Sequence, residues 1–133
     1  MQQFSASGLD RLTKYIPLLA RIMMGLIFIL AAVGKVTGYA GTQGYMESVG
    51  LSGSLLPIVI LFELACGLML VIGFQARLVA LLLAGFTLMT ALVFHSNLGE
   101  QIQFILFMKN IAIAGGLLMV TTHGAGAVAI DPR

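Results

Sequence analysis

The chain has 133 residues, 59% of them hydrophobic and only 9% charged, with a mean hydropathy of +1.05. A soluble domain carries about 25% charged residues, so a chain this apolar cannot cover a globular surface, and part of its solvent must be lipid. A net charge of +2 with no Lys or Arg cluster excludes a nucleic-acid binder. A single cysteine, Cys66, excludes an intrachain disulfide and any CxxC redox or metal motif.

Four apolar runs follow one another, each near the roughly 20 residues that cross a bilayer. The first, residues 15–35, reads "YIPLLARIMMGLIFILAAVGK". Arg11 and Lys14 ahead of it resemble the start of a signal peptide. Arg21 interrupts the run, however, "ILAAVGK" is a poor cleavage site, and three more runs follow, so the segment is expected to remain as a span. The second run, residues 55–74, has Pro57 near its start, where a missing N–H costs little. The third covers residues 77–95 and the fourth residues 101–122.

The connections "VTGYAGTQGYMESVGLSGS" and "SNLGEQ" are rich in Gly and Ser and read as links at the level of water or the headgroups. "GFQAR", between the second and third runs, is too tight for anything but antiparallel neighbours. The expected fold class is therefore all-α, a four-helix transmembrane bundle forming a single membrane domain over residues 1–133. With no Trp in the chain, Tyr15, Tyr39, Tyr45 and the Phe residues must supply the interface belt. Arg11, Lys14, Arg77 and Arg133 gather on one side against Lys35 alone on the other. The positive-inside rule then places both termini in the cytoplasm.

Charge within an apolar span is costly and marks a candidate site. Glu63 lies roughly eight residues into the second run, about 12 Å below the outer surface by helix rise, and Lys109 lies about as deep in the fourth. Lys35 and His95 end the first and third runs on that same side. All four runs thus bring an ionisable group to one half of the bundle. One reading is a polar pocket opening outward, floored by Glu63 and Lys109, with Asn110 adding an amide. The other is a structural ion pair fixing helix register, with Lys35 and His95 reaching to water. Matched depth makes Lys109 the expected partner of Glu63. Helical spacing aligns Arg21, Gly25, Phe28, Ala32 and Lys35 on one face of the first helix, so Arg21 competes for the same carboxylate or else turns to lipid phosphates.

Small residues at four-residue spacing mark the expected contact faces: Gly34 and Gly38; Ala76, Ala80 and Ala84; Ala112 and Gly116. The same faces are compatible with a homo-oligomer. His95 and His123 fall on opposite sides of the membrane, which excludes a bis-histidine haem. There is no phosphate loop, Ser/His/Asp set or metal-ligand spacing, so no catalytic or metal-binding residue is assigned and no cofactor is evident.

In order, "R…GLIF…GK", "GYMESVG", "FELACGLMLVIGF", "AR", "FH", "KNIAIAGGLLM" and "GAGAVAID" resemble the DoxX family of small bacterial inner-membrane proteins, over about residues 21–131. Arg21, Lys35, Glu63, Gly67, Gly73, Arg77, His95, Lys109, Asn110 and Asp131 fall at the family's characteristic positions. The tail departs from its Gly-Pro-Gly, reading Gly124-Ala125-Gly126, which should loosen a turn. The resemblance implies a multi-pass membrane subunit of a thiosulfate:quinone oxidoreductase, and some members resemble partners in oxidative-stress complexes. On that reading a quinone or small sulfur compound enters the polar pocket, and the redox cofactor sits on a membrane or peripheral partner protein. The alternative is a small-molecule transporter or a non-catalytic scaffold subunit. Whether the chain is itself an enzyme stays open.

Overall fold

In lipid, a spanning chain satisfies its backbone N–H and C=O groups within a helix or a closed barrel, and long apolar runs with few breakers choose the helix. The computed structural model describes residues 2–131 (side chains from residue 8); Arg133, one of the residues used above to orient the chain, lies outside them. Five α-helices follow in order: α1 Gln2–Thr37, α2 Tyr39–Ser48, α3 Leu56–Ile72, α4 Ala76–Phe94 and α5 Gln101–His123. A single 3₁₀ turn, Gly53–Leu55, leads into α3. Four of the helical segments are long and apolar enough to cross a membrane: Gly8–Thr37, Gly53–Ile72, Ala76–Phe94 and Gln101–His123.

The first helix begins well before Tyr15. Its 36 residues would extend about 54 Å at 1.5 Å per residue, longer than a hydrocarbon core, so its N-terminal turns carry Arg11 and Lys14 out of the apolar layer. Outward faces remain apolar on every span: Leu19, Leu30, Leu61, Leu92 and Ile102 are all more than half exposed, as lipid contact requires.

The tightest pairings are α1 with α3 and α4 with α5, while α3 bridges the pairs by packing on α4. The α1–α3 crossing is a backbone contact. A Cβ on Gly25 would lie 2.5 Å from Val71 Cγ2 and 2.8 Å from the Gly67 carbonyl, and one on Gly67 would meet the Gly25 carbonyl at 3.1 Å. Around it, Phe28, Cys66, Leu70, Val79, Ala80, Leu83, Ala84, Ala114 and Leu117 form the buried core. The Ala76, Ala80 and Ala84 stripe is buried as expected. Gly34 and Ala112 instead face outward, and Gly116 abuts the Met24 sulfur rather than another backbone.

Gly73 ends α3 at φ 77°. Its N–H and that of Phe74 return to the carbonyls of Leu70 and Met69, a Schellman closure that turns the chain directly into α4. The last residues fold back over this end: the N–H groups of Ile130 and Asp131 donate to the Ile72 and Gly73 carbonyls at 3.0 and 3.1 Å. Despite the missing proline, the tail turn is well formed. Gly124 and Gly126 take positive φ, Ala125 is fully buried, and Gly126 sits against the ring of Pro17.

The first connection corrects the expectation of a plain link, because Tyr39–Ser48 is helical. Gly41 and Gly44 disfavour a helix, but tertiary contacts override that preference. Met46 is buried, Gln43 Nε2 donates to the Gly53 carbonyl, and Tyr45 Oη donates to the Phe94 carbonyl. Thr42, Tyr45 and Met46 share one face of this short helix and look onto the bundle.

The close crossing makes a sharp prediction. Gly25→Ala should destabilise the bundle by about 1–3 kcal/mol, the usual cost of overpacking, whereas Gly34→Ala, with nothing within 4 Å of its added Cβ, should leave it unchanged. Thermal unfolding in detergent measures both. Equal melting temperatures for the two variants would disprove the backbone contact.

Candidate functional site: a polar-floored cavity

Each spanning helix turns one stripe of side chains into the space between the two helix pairs. From α1 come Phe28 and Lys35, from α3 Val59 and Glu63, and from α4 Phe86, Thr87, Thr90 and Phe94, with His95 capping it. From α5 come Gln103, Leu106, Lys109, Asn110 and Ile113, which recur at the three- and four-residue spacing of a single helix stripe. They line a partly open cavity of about 450 Å³, to which α2 contributes Thr42, Tyr45 and Met46. Five of the six residues singled out in the sequence therefore line one space: Lys35, Glu63, His95, Lys109 and Asn110.

Their pairing differs from the one expected. Glu63 pairs with Lys35, whose Nζ stands 2.7 Å from Glu63 Oε1, and not with Lys109. Glu63 and Lys109 do line one cavity, but their helices are not direct neighbours: α5 packs chiefly on α4, and none of its Cα atoms lies within 8 Å of one in α3. The Gly25–Gly67 crossing, by contrast, holds α1 directly against α3, and the flexible lysine stem spans the remaining height. The contact is one of charge with charge, since Glu63 Oε1 accepts no hydrogen bond of regular geometry. The carboxylate side chain is 4% exposed and the lysine 28%.

Lys109 is exposed and makes no ion pair or hydrogen bond among the described residues. An unpaired cation at the centre of a bilayer costs about 2.5–3.5 kcal/mol on insertion scales. Asn110 Nδ2 donates to the Thr87 carbonyl at 3.3 Å and to Thr90 Oγ1 at 3.2 Å. His95 Nδ1 lies 3.0 Å from Gln103 Oε1, which ties the end of α4 to the start of α5. Thr87, Thr90, Gln103 and Tyr45 were not anticipated from the sequence. Thr87 and Thr90 lay in plain view on the stripe that continues Ala80, Leu83 and Ala84, but a threonine in a membrane helix more often satisfies its own backbone. Thr87 does not: its Oγ1 is buried without a partner.

Arg21 lies apart from the cavity, 1% exposed at the opposite end of the bundle. It reaches neither Glu63 nor the lipid phosphates. Nη1 donates to the carbonyls of Leu70 and Val71 at 3.2 and 2.9 Å, and Nη2 to that of Val128. The Leu70 and Val71 carbonyls lie in the last turn of α3, where acceptors outnumber helical donors, and a cation there also meets the negative end of the helix dipole; Val128 belongs to the tail. The tail completes the arrangement. A side chain on Gly73 would collide with Arg21 Nη1 at 2.5 Å and Ala129 Cβ at 2.4 Å.

The DoxX family model matches residues 16–96. Among curated proteins, the chain is 53% identical over 114 residues to the inner membrane protein YqjF of Escherichia coli, covering 86% of this chain and 88% of that one. It is 36% identical over 123 residues to the inner membrane protein YphA of the same organism, covering 87% and 88%. It is 29% identical over 119 residues to a Bacillus subtilis protein named "Putative oxidoreductase CatD", covering 86% and 84%. No solved structure matches the chain.

The Lys35–Glu63 pair can be tested by a double-mutant cycle. Lys35→Met strands the buried carboxylate and should cost about 3 kcal/mol or more. Glu63→Gln should cost less, because a lysine at a helix end can turn to the interface, and the double variant should be more stable than Lys35→Met. Strict additivity of the two effects, read by unfolding in detergent, would rule the coupling out.

Proposed function

Since the chain belongs to the DoxX family and is a multi-pass protein of the bacterial inner membrane, we propose that it is the ligand-binding membrane subunit of a redox assembly. Its cavity receives a quinone or a comparably small redox carrier, and the redox cofactor is held by a partner protein. The observation that supports this most is the convergence of five polar or charged residues from all four spans on one space walled by aromatic and aliphatic side chains. That combination suits an amphipathic molecule: a few placed donors fix its polar end while apolar walls take its body. Among the described residues, Lys109 and the Thr87 hydroxyl are donors that remain uncommitted. The chain's lone, buried thiol, Cys66, offers no dithiol for electron transfer, so that chemistry falls to the partner. The Bacillus subtilis relative, named as an oxidoreductase, leans the same way.

The orientation belongs to the same proposal. Arg11, Lys14 and Arg77 lie towards the Arg21 end of the bundle, which puts the termini in the cytoplasm by the positive-inside rule and the cavity in the outer half of the membrane. Reporter fusions at Met1 and Arg133 should both report cytoplasm; a periplasmic signal from either end overturns the assignment.

Two measurements test the function. An azido-quinone should label peptides of α4 and α5 in native membranes, and unlabelled quinone should compete. Tagged protein purified from the same membranes should bring down a flavoprotein, sulfurtransferase or dismutase. Absence of competed labelling removes the quinone. Flux of a small ligand through the isolated protein in liposomes, with no redox partner recovered, replaces the reading with transport.

A further inference from the structure

The charges that line the cavity do not balance. Lys35 and Glu63 cancel within their 2.7 Å pair, and His95 is engaged with Gln103. Lys109 is left as the one cation of the lining without a counter-charge among the described residues. By helix rise its backbone lies about 12 Å from the start of α5 and farther still from the other end, more than its four-carbon stem can span to reach a headgroup. Two further features point to what would sit beside it. Thr87, a residue that lines the same space and is 3% exposed, buries its hydroxyl with no hydrogen-bond partner. Four aromatic rings, Phe28, Tyr45, Phe86 and Phe94, stand in its walls.

We propose that the cavity selects an aromatic monoanion, with Lys109 as its counter-charge and the Thr87 hydroxyl as a hydrogen-bond donor. A two-ring body fits easily within about 450 Å³. The proposal rests on the reading of the cavity as a ligand site and adds the ligand's charge, defining a class that includes a deprotonated quinol. A neutral aromatic would leave the lysine uncompensated; a dianion would bring one charge more than the lining can meet.

The probes are 2-naphthoate and its neutral isostere 2-naphthamide. Unfolding of the full chain in detergent is followed by a thiol-reactive dye on Cys66, which is buried in the folded protein. The naphthoate should raise the melting temperature saturably, with an affinity at least tenfold above that of the amide. Lys109→Gln should fold with an unchanged or higher melting temperature, having lost an unpaired charge, and should bind the two probes alike. Lys109→Arg should restore the preference, and Thr87→Val should weaken naphthoate binding several-fold. Equal affinities in the parent chain, or a preference that survives Lys109→Gln, overturn the charge selection. If neither probe binds while azido-quinone still labels α4 and α5, the anion proposal falls and the cavity reading stands. If quinone labelling fails as well, both fall.

Discussion

The contact of α1 with α3 at Gly25 and Gly67 sets the geometry of nearly everything else. Two helices whose backbones touch have little freedom to slide or rotate, because lipid offers no hydrophobic drive and close packing itself carries the association. Above the crossing, that register brings Lys35 over Glu63; below it, Arg21 comes under the end of α3. The crossing acts as a fulcrum with a charge on each arm.

The intramembrane charges are handled in three ways, and the differences separate architecture from function. Arg21 donates through both terminal nitrogens to backbone carbonyls at the end of α3 and in the tail, although its Nε is buried without a partner. Lys35 and Glu63 neutralise one another. Lys109 has neither arrangement, and neither does the hydroxyl of Thr87. Polar groups that a fold leaves unsatisfied in a low-dielectric interior are expensive, so their retention beside a cavity points to a ligand more strongly than the satisfied groups do.

The spans could be read from the sequence because bilayer thickness imposes a length, and the Arg21–Lys35 face because helical period imposes a spacing. Arg21, Phe28 and Ala32 are indeed buried along it. That Lys35, Glu63, His95, Lys109 and Asn110 would fall in one half of the bundle was legible for the same reason: position is countable along each run. Pairing was not, since depth says nothing about which helices are neighbours, and α3 and α5 prove to be separated. Helix α2 escaped notice because its stability lies in Met46, Gln43 and Tyr45 touching distant residues, while its own glycines argue against it. The tail was legible only as a motif. That its carbonyl at Val128 would accept from Arg21 Nη2 required the fold.

This last contact bears on how the protein is made. The acceptor at Val128 lies 107 residues downstream of Arg21, a stretch that takes about 5–20 s to synthesise at typical elongation rates. Through that interval the guanidinium lacks one of its three carbonyl acceptors. Insertion therefore cannot finish helix by helix. The earliest span is completed last, since a chain that stops short of its final turn lacks the acceptor that Val128 offers to Arg21.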